Sequence, residues 1–191
     1  MSIYMTLAKK KNYGGDNMLY LKIVGCTLIL ICSSLIGFLY GESLKKRVFQ
    51  LKEIEQALLE LKSKIVYTNE SLPKAFQDIG YKCNKPIGDI FVEVSNLLYN
   101  NEVDSVNEGF KRMFKQNRDK LNLKQSDIDI MLNLSKSLGE SDVEGQKSIL
   151  LLTLENVKKQ VYDAEIEMNK NIKMYRYLGF SFGAILTIMI I

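Results

Sequence analysis

The most constraining feature of this sequence is a run of 19 residues, Ile23 to Gly41, with no Asp, Glu, Lys or Arg. As a helix it extends roughly 28 Å, close to the roughly 30 Å hydrocarbon core of a bilayer. A core helix in so small a chain would keep a charged face, and this run has none. A cleaved signal peptide needs a small-x-small site after the apolar run, and Gly41-Glu42-Ser43 is a poor one. Ile23-Val24-Gly25-Cys26 has the letters of a lipoprotein box, but its apolar stretch follows the cysteine instead of preceding it. The run therefore reads as a retained transmembrane helix within 18–41.

A second uncharged run, Tyr177 to Ile191, has 15 residues. Its helical length of about 22 Å falls short of a span unless its flank helps. Lys173 and Arg176 can snorkel to the interface, and Tyr175 and Tyr177 suit headgroup depth. A C-terminal transmembrane or membrane-inserted helix is expected over 177–191, with residues 42–176 between the anchors. Lys45, Lys46 and Arg47 follow the first run, and Lys170, Lys173 and Arg176 precede the second. Basic flanks stay in the cytoplasm, so the body is expected there. These six cations, the last three above all, are also candidates for docking an acidic partner surface.

Lys9, Lys10, Lys11 and Lys22 oppose that orientation. Gly14-Gly15-Asp16, however, can be encoded by a ribosome-binding sequence shortly before the codon of Met18. Residues 1–17 are thus expected to be a mis-annotated extension, which leaves Lys22 alone on the outer flank.

The body has helical periodicity throughout. Leu44, Val48, Leu51, Ile54, Leu58, Leu61 and Ile65 form one apolar stripe. Ser71 and Pro73 predict a helix start, and Ile87, Ile90, Phe91, Val94, Leu97 and Leu98 mark a third helix. Val103, Val106, Phe110, Met113 and Phe114 mark a fourth. A fifth is expected to be capped by Ser126 and to stop at Gly139. Ser141 and Glu144 have capping-box spacing ahead of a long stripe from Leu150 to Tyr175. The fold class predicted is all-α: a membrane-anchored bundle of about six helices, the first and last long and paired antiparallel.

Composition excludes several functions. The chain has no His, which removes the usual general base and the commonest metal ligand. Its three Cys build neither a disulfide framework nor a zinc site. Residues 42–176 carry 22 basic and 21 acidic side chains, so the body as a whole has no nucleic-acid footprint. Gly139 to Ser148 imitates a phosphate loop but has five residues between its glycines, Gln146 where Lys is needed, and no preceding strand. Asp127 and Asp129 lie two apart on a predicted helix and point to different faces. Glu165, Glu167, Lys170 and Lys173 read as a solvated helix face. Cys83 sits between Lys82 and Lys85 in a loop and reads as an incidental thiol. No catalytic, cofactor or metal residue is predicted, and no small-molecule substrate.

Three stretches carry a resemblance: Glu60 to Tyr67 followed by Ser71 to Phe76, Leu138 to Asp142 with Gln146, and Asn171 to Gly179. In that order and spacing the chain from Met18 to Ile191 resembles the stage III sporulation protein AB family of endospore-forming bacteria. The resemblance implies a non-enzymatic subunit of the mother-cell–forespore channel complex, in the mother-cell membrane facing the forespore. It implies a soluble domain similar to the cytoplasmic domain of type II secretion F platform proteins. Partners would be the complex's ATPase, its neighbouring membrane subunits and membrane lipid. A platform protein of a general secretion or pilus system is the alternative, but it would need a duplicated domain that 191 residues cannot hold. A membrane hydrolase finds no support in the chemical inventory. Intact-mass analysis of the native protein is expected to give a chain beginning at Met18, and detection of any peptide from residues 1–17 would refute that start.

Overall fold

In the computed structural model, an opening helix α1 runs over Ser2–Ser63 and a closing helix α6 over Val143–Ile190. Four shorter helices lie between them: α2 (Leu72–Lys82), α3 (Ile87–Tyr99), α4 (Val106–Gln116) and α5 (Gln125–Ser137). A π-helical turn, Lys64–Thr68, ends the first helix, and a 3₁₀ turn, Arg118–Lys120, links α4 to α5. The structure describes the backbone of residues 2–68, 70–138 and 143–190, and side chains from 20 onward except 22–23, 67–69, 139–143, 176 and 190–191. Six helices are present, as expected, with no strand among the described residues.

The chain divides into two units: Met1–Glu42 with Asn169–Ile191, and Ser43–Met168. The second boundary between the packed units falls at Asn169. Packing defines the unit, and α6 already meets α1 at Ile172, beside Gly41.

In the first unit α1 and α6 approach closely through small residues. A Cβ on Gly37 would stand 2.5 Å from the carbonyl oxygen of Tyr175, and one on Gly179 would stand 2.8 Å from that of Ser33. A Cβ on Gly183 would come within 3.1 Å of the Ser33 Cβ. Gly37 and Gly41 are four apart on one helix, as are Gly179 and Gly183 on the other, so each helix offers a small-residue stripe to its neighbour. The Ser33 hydroxyl donates to the Gly179 carbonyl, and the rings of Tyr40 and Tyr175 meet at 4.2 Å. Large apolar side chains point the other way: Ile31, Leu35, Leu39, Phe180, Phe182 and Ile185 are all exposed. Among the described residues one helix, α1 from Val24 onward, is long and apolar enough to cross a membrane.

The second unit has a conventional core. The stripe read from the sequence is buried from Leu44 to Ile65. Phe76 on α2, Phe91 on α3 and Phe110 on α4 form a triangle of edge-to-face rings with centroids 5.3–5.9 Å apart. That geometry sets the positive ring edge against the negative face and adds to the area each ring buries. Glycine permits close contact between α2 and α3, because a Cβ on Gly80 would stand 2.8 Å from the Gly88 carbonyl oxygen.

Three helix starts differ in detail from expectation. Ser71 precedes α2 with Pro73 in its first turn, but the Ser71 hydroxyl makes no capping bond. Ser126 does not cap α5: the cap position is Lys124, whose amide donates to Asp127 at 2.9 Å. The fourth helix begins at Val106, where the Ser105 hydroxyl accepts from the Glu108 amide at 3.2 Å. The Glu108 carboxylate in turn accepts from the Asp104 amide. The expected box at Ser141 lies outside the described residues, and Glu144 is exposed beside Lys147 at 3.6 Å.

The seam in the first unit yields a direct test. In a chain with Cys26 and Cys32 replaced by Ser, Ser33→Cys together with Gly183→Cys should oxidise to an intramolecular disulfide within membranes, since their Cβ positions adjoin. Non-reducing electrophoresis after protease cleavage in the body reads the link, and two separating fragments would refute the pairing of these helices.

Candidate functional site

Beside the apolar stripe of α1 runs a second set of buried positions that are polar: Arg47, Gln50 and Glu53. Each spans from α1 to a segment distant in sequence. The Arg47 guanidinium donates twice to Asp127, from Nε at 2.9 Å and from Nη2 at 3.0 Å. Its Nη1 donates to Glu167 on α6 at 2.9 Å, and Nη2 also reaches Gln160 at 3.3 Å. Lys124 closes the group from outside, its ammonium 2.7 Å from Glu167. The two central side chains are 6% and 0% exposed, so the pair is desolvated and each partner depends on the other.

Gln50 donates to the Lys120 carbonyl and accepts from the Asn122 amide at 2.8 Å, which fixes the connection between α4 and α5. Glu53 accepts from the amide and the side chain of Asn84, at 2.7 and 3.0 Å, which fixes the connection between α2 and α3. At the far end of α1 the Lys64 ammonium lies 2.8 Å from Glu70 and 2.7 Å from Asp78. Those hydrogen bonds, Asp78 first, raise the Lys64 pKa, and Lys64 lowers that of Asp78. Every buried side-chain nitrogen or oxygen among the described residues has a hydrogen-bond partner.

The residues singled out in the sequence separate into groups. Lys45 and Lys46 are exposed on the second unit, but Arg47 is no surface cation: it is buried and committed to Asp127. This corrects its reading as a docking residue. The sequence could not reveal it, because the partner carboxylate lies 80 residues away. Lys170 and Lys173 are exposed and, with Arg176, belong to the first unit and not to the last turns of the body. Asp127 and Asp129 do part company, the first buried against Arg47 and the second exposed and bonded to Gln125. Glu165 and Glu167 are not simply solvated, since Lys52 lies 2.6 Å from Glu165. Burial first, and the Glu53 and Glu60 carboxylates second, push the Cys83 thiol up to about 11, so it is held neutral. Of the phosphate-loop imitation, residues 139–142 lie outside the described residues.

An all-helical body whose buried polar groups hold its own loops in place, joined in one chain to an apolar helix pair, defines an all-α class of protein. The model of the family described as "Stage III sporulation protein AB" matches residues 22–191, and the chain belongs to that family. It is similar to Stage III sporulation protein AB of Bacillus subtilis (strain 168), with 28% identity over 170 residues that cover 89% of this chain and 99% of the relative. It is also similar to a solved structure of Stage III sporulation protein AB (SpoIIIAB), at 26% identity and a TM-score of 0.59 over 64% of this chain and 95% of that one.

Removing one partner of a buried pair strands the other charge without solvent. Arg47→Met should therefore destabilise the body by about 3–5 kcal/mol. Arg47→Met with Asp127→Asn, which removes the stranded charge but keeps an acceptor for the Lys124 amide, should recover about half of that loss. Thermal unfolding of the four proteins in detergent reads the cycle, and strictly additive losses would show that the pair does not couple.

Proposed function

We propose that this protein is a non-enzymatic membrane scaffold subunit of the multi-subunit assembly that joins mother cell and forespore during sporulation. The observation that carries the reading is the family match across nearly the whole chain, which gives the protein a role in sporulation. The finer parts rest on physical argument. Two helices that meet through glycine stripes and expose large apolar side chains suit a lipid environment, where close packing takes over from the hydrophobic effect. This supports a C-terminal segment that enters the membrane beside the first despite its short length. The basic residues Lys45, Lys46, Lys170, Lys173 and Arg176 border the two apolar stretches and favour a cytoplasmic body.

A scaffold rather than an enzyme is favoured by what the buried polar side chains do. Arg47, Gln50, Glu53 and Asp127 are each used to hold one segment of the body against another. By the family resemblance its partners are the assembly's ATPase and neighbouring membrane subunits, and its place is the mother-cell membrane facing the forespore.

Orientation and role are tested together. Cysteines introduced by Ser63→Cys and Lys170→Cys should resist an impermeant thiol reagent applied to intact cells and react after lysis. Deletion of the gene should block sporulation, and the purified full chain should not hydrolyse ATP. Labelling from outside would reverse the orientation, and ATP turnover lost on Lys147→Ala would replace the scaffold by an enzyme.

A further inference from the structure

The charge of the second unit is balanced overall but not locally. From Lys111 to Lys124 the sequence carries Lys111, Arg112, Lys115, Arg118, Lys120 and Lys124 against a single carboxylate, Asp119. Three of these cations border a groove of about 240 Å³ between α4 and α5, whose floor is Phe114, Ile128 and Leu132. Lys111 and Lys115 are one helical turn apart on α4, and Arg118 follows on the 3₁₀ turn, so the three rise about 10 Å along one edge. None of them pairs with a carboxylate among the described residues. Asp119, next to Arg118, lines a separate hollow with Lys46, Lys85 and Lys120 and is not part of this groove. Glu108 accepts from the Asp104 amide at 3.1 Å, and Asp129 accepts from Gln125, on the groove's opposite lip, at 2.9 Å. Arg47 and Lys64, by contrast, each have carboxylate partners.

We infer that this groove is the docking site for an acidic amphipathic helix of a partner protein. The inference builds on the assembly reading and names the surface and the chemistry by which one partner is held. Charge complementarity selects the occupant. A row of three cations spaced over two helical turns matches carboxylates at i, i+4 and i+7 of an opposing helix, and the apolar floor between α4 and α5 accepts the Leu or Ile side chains beside them. The concavity favours a helix over a flat bilayer, which would meet the cations but leave the floor uncovered.

The full chain in detergent micelles is titrated with a fluorescent 18-residue Leu/Glu helical peptide, with a Leu/Lys peptide of the same pattern as control. Binding of the acidic peptide should saturate, weaken with added salt, and fall about tenfold or more in the triple variant Lys111→Glu, Lys115→Glu, Arg118→Glu. All three side chains are exposed, so the variant should keep its melting temperature and helical spectrum. Equal binding to wild type and variant, or no binding, would overturn the inference. So would loss in the variant of binding to phosphatidylglycerol vesicles when the peptide does not bind, since that would make the surface a lipid site. In sporulating cells the variant should reproduce the deletion defect and lose at least one co-isolated subunit. A variant that sporulates and co-isolates normally, in a strain where deletion blocks sporulation, overturns the groove and leaves the assembly reading intact. A deletion strain that sporulates normally overturns the assembly reading itself.

Discussion

The body is organised around one desolvated guanidinium. Arg47 lies four residues past the start of the second unit and makes a two-point contact with Asp127, whose side chain is wholly buried. Through that contact and the one to Glu167, the first, fifth and sixth helices share a single charged centre. A buried ion pair is weak evidence for extra stability, since apolar groups of the same volume would often do as well. Its value is directional: a guanidinium fork accepts a carboxylate in few orientations, whereas a leucine accepts many neighbours. The packed apolar stripe sets that these helices associate, and Arg47 sets the register in which they do so.

The first unit solves a different problem with different residues. In the lipid environment proposed for this unit, two apolar helices gain nothing by hiding leucines from water, so association would come from contact area and close approach. Gly37, Gly179 and Gly183 remove the Cβ atoms that would otherwise hold the backbones apart. The large side chains that this leaves on the outer faces would be a liability in water and are appropriate in hydrocarbon.

Much of this architecture was legible because periodicity records burial directly. Six helices, the stripe from Leu44 to Ile65 and the core rings Phe91, Phe110 and Phe114 follow from spacing alone, since a residue's place on a helix fixes which face it joins. What could not be read was pairing across distance. Arg47 counts as one of three adjacent cations in the sequence, and only the fold brings Asp127 to it. Ser126 was a reasonable cap by residue type, yet Asp127 takes over by turning back to the Lys124 amide while also holding Arg47. Two signals were present and unused: the Ser105–Glu108 spacing, which is that of a capping box, and the glycines four apart in each apolar run. The second is ambiguous without a partner helix, because glycine pairs also occur where nothing approaches.

The polar set on α1 has a consequence for how the body opens and closes. Arg47, Gln50 and Glu53 stand three residues apart, and between them they reach the start of α5, the stretch from Lys120 to Asn122, and Asn84. The segment at 83–86 has no regular element of its own and that at 117–124 has only the 3₁₀ turn, so both borrow order from one helix. Rotating α1 by a single residue would turn it about 100° and withdraw all three groups at once. The connections at 83–86 and 117–124 therefore share one opening equilibrium with α1, and amide exchange there should follow the docking of that helix instead of the local mobility expected of surface loops.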